Sequence, residues 1–316
     1  MTRTKAAMTN SRRKVLIILG PTAVGKSDFA VERALEYGSP VISCDSRQIF
    51  REMTIGTAVP DASQLAAVEH FFIHTNSVLE DYTAGRYEAE AHALVNRLFE
   101  EDGDKTLVMC GGSGFYVDAF VKGLDEFPPA EQSLRAELTT QWKEEGVESL
   151  ARRLRELDPE SCAEIDLSNG QRVVRALEVC LMTGRKFSSF KTAPKKKRDF
   201  EIEKIGLTRP REELYRRIDA RVLKMVSEGL VEEVRSLIPV RDRPALQTVG
   251  YKEIFAWFDF IDGKVSTEGW GPTSPGDGPV TTLERAVELI QRNTRHYARK
   301  QMSYWRRDPE IRWIEL

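Results

Sequence analysis

The sequence lacks several features that identify common classes of protein. Its 316 residues include only four cysteines, none at the C-x-x-C spacing of zinc and redox sites. No run approaches the roughly 20 apolar residues that a membrane-spanning helix requires. The four histidines are too dispersed to form a metal ligand set. The composition therefore predicts a soluble, cytoplasmic protein with reduced cysteines and no membrane contact.

The sequence also lacks a net charge that would indicate its partner. It has 47 Lys+Arg against 49 Asp+Glu, a formal net charge of −2, so only local basic segments could bind nucleic acid. One such segment is 165–200, where nine bases accompany three acids. Another begins in the predicted last helix, where four arginines fall on one side at helical spacing: Arg292, Arg295, Arg299 and Arg306. Both segments favour contact with phosphates.

Aromatic residues line another face of that last helix. Tyr297 and Tyr304 share it with Ile290. A stripe of this kind is more typical of a buried core than of a surface on which nucleobases stack. We therefore expect these side chains to be buried.

Strand and helix patterns alternate over the first part of the chain. The apolar runs that predict strands are 15–19, 40–44 and 106–110, and the predicted helices are 26–37, 86–101 and 114–121. This alternation predicts an α/β fold, a parallel sheet of the P-loop NTPase type covered on both faces. Ligands of such sheets bind at the carboxyl ends of the strands.

The strand patterns stop near Pro128 and return at 200–207. Four helices are predicted between them, at 131–145, 147–157, 160–166 and 169–183, and three after them, at 210–228, 229–238 and 281–305. We therefore predict a flexible tail at 1–13, a core formed by 14–128 and 200–316, and an inserted all-helical domain at 129–199. Gly, Pro, Ser and Thr dominate 260–280, which predicts a mobile loop there.

Residues 20–27 read GPTAVGKS, a complete P-loop between a predicted strand and a predicted helix. In that context the backbone N–H groups of the loop and the helix N-terminus converge on a di- or triphosphate. Lys26 would reach the outer phosphate oxygens, and the Ser27 hydroxyl is suitably positioned for a Mg²⁺ ion. The motif predicts a phosphate site without specifying the molecule that carries the phosphates.

The second predicted strand leads to Asp45 at the same sheet edge. Asp45 could act as a general base, as an outer-sphere partner of Mg²⁺, or only as a capping residue after the strand. A dinucleotide site would need G-x-G-x-x-G, which is absent. The third strand ends in Gly111–Gly114 with no acid after it, which counts against an ATPase or GTPase.

Taken together, the motifs resemble those of the tRNA dimethylallyltransferase family, the isopentenyltransferases that modify tRNA. The motifs are GPTAVGKS at 20–27, DSRQIF at 45–50, IGTAVP at 55–60, YTAGRYEAEA at 82–91, GGSGFY at 111–116, QRVVRALEV at 171–179, LYRRIDARV at 214–222, QTVGYKE at 247–253 and RHYARKQMSYWRRD at 295–308. The ordered set is far more specific than the P-loop alone, and it spans nearly the whole chain. The zinc-finger tail of eukaryotic relatives is absent, which indicates a bacterial-type enzyme.

The resemblance implies transfer of a dimethylallyl group from dimethylallyl diphosphate to N6 of the tRNA adenosine just 3′ of the anticodon, with release of diphosphate. It implies Asp45 as the general base and either Arg217 or Arg221 as the arginine that balances the leaving diphosphate. The implied diphosphate-binding residues are Gly20, Thr22, Ala23, Val24, Gly25, Lys26 and Ser27, with Ser27 as the Mg²⁺ ligand. The implied tRNA contacts are Asp45, Ser46, Arg47, Gln48, Ser113, Arg135, Gln171, Arg172, Val173, Val174, Arg175, Gln247, Thr248, Val249, Gly250, Tyr251 and Lys252.

Two other functions use the same phosphate site. A cytokinin-type transferase would prenylate free adenine nucleotides, and a small-molecule or nucleotide kinase would bind ATP at the same loop. The QTVGYKE segment and the basic last helix favour tRNA over both. The expected partners are therefore the anticodon stem-loop of tRNA and dimethylallyl diphosphate, and the protein is expected to be a monomer.

Overall fold

A computed structural model describes residues 13–125, 127–191, 197–264 and 277–316. Within these residues six strands form one parallel sheet in the order β3-β2-β4-β1-β5-β6. The strands are β1 (Lys14–Leu19), β2 (Val41–Ser43), β3 (His70–Phe71), β4 (Thr106–Cys110), β5 (Glu201–Thr208) and β6 (Ile311–Glu315). The predicted tail, apart from Arg13, and most of the predicted 260–280 loop lie outside the described residues.

Helices connect and cover these strands. The α-helices are α1 (Lys26–Tyr37), α2 (Ala62–Ala67), α3 (Ala84–Asp102), α4 (Gly114–Lys122), α5 (Gln132–Glu145), α6 (Val147–Leu157), α7 (Pro159–Glu164), α8 (Gly170–Thr183), α9 (Arg211–Ser227), α10 (Leu230–Ser236), α11 (Tyr251–Ile261) and α12 (Leu283–Trp305). Short 3₁₀ helices lie at Phe187–Phe190, Ile238–Val240 and Pro244–Leu246. No described helix is long and apolar enough to cross a membrane.

Strand β1 is the buried centre of the sheet. It pairs with β4 on one side and with β5 on the other, and five of its six residues are buried. A strand covered on both faces needs a continuous apolar sequence, which explains the run Val15–Leu19. Its carboxyl end therefore carries the next residues, the P-loop, to the middle of one sheet edge.

The chain divides into two compact units, Met1–Val121 with Arg198–Leu316, and Lys122–Lys197. The second unit is helical and has its own core, in which Leu150 and Leu154 of α6 pack with Val173 and Leu177 of α8. The spacing of four residues within each pair places these side chains on one face of each helix. The unit begins at Lys122 rather than at the predicted residue 129.

Several elements of the first unit were not predicted. Strand β3 has only two residues, too few to give a periodic pattern. Helix α11 is rich in aromatic residues, which have a modest helix propensity. Strand β6 is an edge strand of only five residues, and the adjacent Trp313 and Ile314 interrupt the alternation of apolar and charged residues that would predict a strand. These elements complete the sheet edges and the core beside α10.

Candidate active site

A cavity of about 1140 Å³ lies at the carboxyl edge of the sheet. The segments that follow β1, β2 and β4 line it, together with residues of α9 and α12. Three of the motifs found in the sequence therefore meet in one place, as expected for a parallel sheet. Every residue that lines the cavity belongs to the unit that contains the sheet.

The P-loop is fixed by close backbone packing at its first residue. Gly20 has a φ of +141°, and a Cβ atom there would lie 2.6 Å from the carbonyl oxygen of Leu207 in β5. Lys26 folds over the loop, where its Nζ donates hydrogen bonds to the carbonyls of Gly20 (2.9 Å) and Pro21 (2.8 Å). Burial lowers the pKa of Lys26 to about 8. A cation therefore sits where the motif predicts a phosphate.

Asp45 forms a tight turn after β2. Its Oδ1 accepts hydrogen bonds from the backbone N–H groups of Arg47 (2.9 Å) and Gln48 (3.3 Å). Its Oδ2 makes no hydrogen bond with any residue that the structure describes, and the side chain lines the cavity. The capping and active-site interpretations are thus compatible, because the turn uses Oδ1 and leaves Oδ2 available to a substrate.

The loop after β4 is tied to this turn by two serines. Ser46 N–H donates to Ser113 Oγ at 2.9 Å, and Ser113 Oγ donates to Ser46 Oγ at 3.0 Å. Gln48 Nε2 donates to the carbonyls of Thr57 and Ala58. These predicted tRNA contacts are therefore already engaged inside the protein, and they hold the cavity wall in shape.

The two candidate arginines of α9 differ in their contacts. Arg217 Nε donates to the Ala23 carbonyl at 2.8 Å, which braces the P-loop. Arg221 makes no hydrogen bond or ion pair with a described residue, and it lines the same cavity. Burial and the neighbouring Arg217 guanidinium lower the pKa of Arg221. Arg221 is therefore a cation in the cavity without a carboxylate partner among the described residues.

The cysteines beside the site are not activated as nucleophiles. Burial raises the pKa of Cys110 to about 12 and the pKa of Cys44 well above its ordinary value. The thiolate is the reactive form of cysteine. The cavity therefore offers a carboxylate and cations, and no cysteine nucleophile.

Gln301 of α12 is a site residue that the sequence analysis missed. Its Oε1 accepts from the Thr22 N–H at 2.9 Å, and its Nε2 donates to the Gly112 carbonyl at 3.0 Å. It lies on the same face of α12 as the buried Ala298 and Trp305. A glutamine within an apolar stripe is a signal that could have identified it, since a buried amide needs partners.

The prediction that Tyr297 and Tyr304 are buried in a core is wrong. Their exposed fractions are 42% and 38%, and both line the cavity with Ile290. The apolar face of α12 thus forms part of a cavity wall. Phe115, at the start of α4, is another exposed aromatic residue of this wall.

The arginine side of α12 is only partly available to a phosphate. Arg292 forms a bidentate ion pair with Asp277, and Arg295 pairs with Asp219. Arg299 and Arg306 are exposed and have no ion pair among the described residues. The predicted four-arginine surface is therefore reduced to its C-terminal half.

In the helical unit, likewise, only some of the residues predicted to contact tRNA are accessible to a partner. Val173 and Val174 are buried in its core, so their side chains cannot contact RNA. Arg135 and Arg175 both bind the buried carboxylate of Glu178. Gln171 and Arg172 are exposed at the start of α8.

The predicted contact segment Gln247–Lys252 also contains both residues that line the cavity and a residue that is buried. Thr248, Val249 and Gly250 line the cavity. Tyr251 is fully buried, and its hydroxyl donates to Glu233 at 2.6 Å. The same carboxylate accepts the backbone N–H groups of residues 54–56. Tyr251 therefore anchors the cavity wall and cannot contact tRNA.

Among the described residues there is no group of three or more His, Cys, Asp or Glu side chains that could hold a metal ion. A cation at this site would need oxygens from a phosphate in addition to the Ser27 hydroxyl. Magnesium is commonly bound in that way, by few protein ligands together with phosphate and water oxygens.

The chain matches the family model described as IPP transferase over residues 48–308. A tRNA dimethylallyltransferase of Porphyromonas gingivalis is 45% identical over 97% of this chain and 95% of that protein. The solved structure of a full-length tRNA isopentenylpyrophosphate transferase from Bacillus halodurans is 32% identical, with a TM-score of 0.65 over 96% of this chain and 90% of that one. A eukaryotic dimethylallyltransferase acting on tRNA, at 21% identity and a TM-score of 0.73, shares the fold over 96% of this chain and 74% of that one.

Proposed function

The chain belongs to the IPP transferase family, and on that premise we propose the reaction of its cavity: transfer of a dimethylallyl group from dimethylallyl diphosphate to N6 of the tRNA adenosine 3′ of the anticodon. The enzyme is a transferase of the kind that modifies tRNA. One observation carries the proposal. The P-loop, the Asp45 turn and Arg221 surround one cavity, and these are the groups that such a transfer needs.

The reaction exchanges one bond at the allylic carbon C1 of the donor. The C1–O bond to diphosphate breaks, the bond from N6 to C1 forms, and the proton on N6 passes to a base. We assign that base to Asp45, whose Oδ2 has no other hydrogen bond among the described residues. An exocyclic amine is a weak nucleophile, so the base must be positioned before the attack.

The leaving diphosphate gains negative charge as the C1–O bond breaks. The P-loop N–H groups and Lys26 would hold the diphosphate, and Arg221 would balance the developing charge. Arg217 is the weaker candidate because its Nε already supports the Ala23 carbonyl. We therefore assign charge stabilisation to Arg221 and support of the P-loop to Arg217.

Magnesium fits the same site through Ser27. The Ser27 side chain lines the cavity at the start of α1 and makes no hydrogen bond with a described residue. A bound magnesium ion would supply further positive charge to the diphosphate. Ser27 would contribute one oxygen ligand and the donor would contribute the others.

Several exposed groups could bind the anticodon stem-loop. In the sheet-containing unit these are Arg299, Arg306 and the exposed tyrosines of α12; in the helical unit they are Gln171 and Arg172. Arginine binds RNA phosphates, and aromatic rings stack on unpaired bases. We propose that both units contact tRNA, and that the enzyme acts as a monomer in the cytoplasm, where its substrate is found.

Arg172→Ala is expected to weaken tRNA binding several-fold and to lower its salt dependence, because one phosphate contact is lost. The affinity for inorganic diphosphate should not change. Filter binding of unmodified tRNA at several salt concentrations measures the effect. Arg175→Ala is an informative comparison: Arg175 is held by Glu178 and the Pro128 carbonyl, so its loss should act mainly through stability. An unchanged tRNA affinity in Arg172→Ala would exclude that arginine from the interface.

The pKa of Lys26 predicts how diphosphate binding depends on pH. The protonated lysine attracts the anion, so a bound diphosphate raises its pKa above the value of about 8 in the free protein. The affinity is therefore highest below pH 8 and falls as the pH rises above 8, by up to about tenfold per pH unit. Calorimetric titration with inorganic diphosphate between pH 7 and about pH 9.5 measures this loss, since the Lys26 pKa of about 8 lies within that window.

Lys26→Arg is the matched control for this experiment. Arginine keeps its charge over the whole range, so the variant should not show the loss that begins near pH 8. Diphosphate itself becomes more highly charged as the pH rises, an effect common to both proteins. Identical pH profiles in the two proteins would show that Lys26 does not titrate at the site.

The proposed function is tested with labelled dimethylallyl diphosphate and two acceptors, unmodified tRNA and AMP, with phosphate transfer from ATP as the control. Label should enter unmodified tRNA, and nuclease digestion should locate it at the adenosine 3′ of the anticodon. Transfer to AMP instead of tRNA would favour the cytokinin-type reaction. Phosphate transfer from ATP to any of these acceptors, without prenyl transfer, would show a kinase and overturn the proposal.

A further inference from the structure

The buried amide of Gln301 joins two loops of the proposed active site. One is the P-loop, which would bind the donor, and the other is the loop after β4, which is connected to the turn of the proposed base. Gln301 is only 6% exposed. Its Oε1 accepts from Thr22 in the P-loop, and its Nε2 donates to Gly112 in the loop after β4. Both ends of one amide are thus used, and each binds the backbone of a different loop. A rotation of the side chain would break both hydrogen bonds.

The second loop continues this connection to the general base. Gly112 is followed by Ser113, whose Oγ accepts from the Ser46 N–H at 2.9 Å. Ser46 is the residue after Asp45, and Asp45 Oδ1 holds its own turn through the Arg47 N–H. A continuous path of hydrogen bonds and backbone therefore runs from the P-loop through Gln301 to Asp45.

We propose that Gln301 is a positioning residue that sets the distance between the diphosphate-binding loop and the turn that carries the base. The inference rests on the proposed function, in which the donor binds to one loop and the proton of the acceptor goes to the other. Displacement of reacting groups by about 1 Å can cost about 100-fold in rate. Gln301 touches neither substrate in this role; it acts through Thr22 and Gly112.

The packing at Gly112 supports this role and supplies a second way to test it. A Cβ atom at Gly112 would lie 2.4 Å from Gln301 Nε2 and 3.7 Å from Gln301 Cδ, and the nearest atom of any other residue, Lys26 Nζ, would be 3.9 Å away. The Cβ of Gly112→Ala would therefore collide with the end of the Gln301 side chain. Because that amide is movable, the variant should break the contact without displacing the main chain of α12.

The first experiment compares Gln301→Met with Gln291→Met. Methionine keeps the length of glutamine and removes its hydrogen bonds. Gln291 lies on the same helix and donates to a backbone carbonyl, that of Asp219, away from the cavity lining. Gln301→Met should lower kcat about 10- to 100-fold, with unchanged dissociation constants for inorganic diphosphate and tRNA. Gln291→Met should keep the wild-type kcat, and thermal unfolding shows whether the two variants lose similar stability.

The second experiment adds Gly112→Ala and the double variant. Gly112→Ala should lower kcat in the same way, and the double variant should be no slower than the slower single variant, because one contact is broken in all three. Three outcomes would overturn the proposal. The losses of the two single variants could multiply in the double variant, or Gln301→Met could keep the wild-type kcat. In the third outcome, weaker binding of diphosphate by Gln301→Met accounts for the whole loss of kcat/KM in that variant. The wild-type rate with tRNA, measured in the same assay, tests the proposed function separately.

Discussion

Asp45→Asn should lower the rate of prenyl transfer to tRNA by about 10²- to 10⁴-fold, the usual contribution of a general base. The substitution is specific because asparagine keeps an oxygen that can accept the hydrogen bonds from Arg47 and Gln48. The turn should therefore persist while the group that takes the proton is lost. Single-turnover transfer from labelled donor measures the rate, and filter binding should show an unchanged affinity for tRNA.

Asp61→Asn is the matched control for this substitution. Asp61 is also a capping aspartate at the cavity, where its Oδ1 accepts from the Gln64 N–H at 2.9 Å. Its conversion to asparagine should leave the rate unchanged. Asp45→Ala removes both the base and the turn, so it should be at least as slow as Asp45→Asn. A wild-type rate in Asp45→Asn would rule out Asp45 as the base.

Arg221→Gln is expected to reduce kcat by about 10²- to 10³-fold, the range seen when one preorganised group that stabilises developing charge is removed. The loss should appear mainly in kcat because the charge on the leaving diphosphate grows only as the C1–O bond breaks. Arg221 has no competing ion pair within the described chain, so little of the loss should come from instability. Rates at saturating donor and tRNA, together with thermal unfolding, separate the two effects.

Arg217→Gln distinguishes the two arginines. Its Nε supports the Ala23 carbonyl, so its loss should loosen the P-loop and raise the KM for the donor more than it lowers kcat. The opposite pattern, a large loss of kcat in Arg217→Gln and a small one in Arg221→Gln, would exchange their roles. Similar effects on both parameters in both variants would mean that the pair acts as one unit.

The sequence predicted the strand and the helix that flank the P-loop well because their signals are local. Strand β1, the P-loop and α1 follow one another within residues 14–37, and the bounds of α1 agree with the prediction. The glycines, the apolar run and the helix are each set by backbone conformation and neighbouring residues. The meeting of Asp45 with this loop also followed from sequence, because parallel strands end at one edge.

The cavity wall formed by α12 was predicted less well because it depends on contacts between distant segments. Tyr297 and Tyr304 have the spacing of a core stripe, and only the surrounding helices determine that they line a cavity. Arg292 and Arg295 have the spacing of an exposed basic surface, but in the fold they pair with Asp277 and Asp219. Gln301 needs two backbone partners about 190 and 280 residues away in the chain. No local pattern contains that information.

The position of β1 between β4 and β5 imposes an order on folding. Lys14 of β1 pairs with Thr106 of β4 and with Glu201 of β5, so the centre of the sheet cannot close until the whole helical unit has been synthesised. The helical unit has its own core and mainly local contacts, which favour rapid folding, whereas the sheet depends on slow, long-range pairing. On the ribosome the inserted helices can therefore be compact while β1 still lacks one of its neighbours, with an unpaired strand edge exposed.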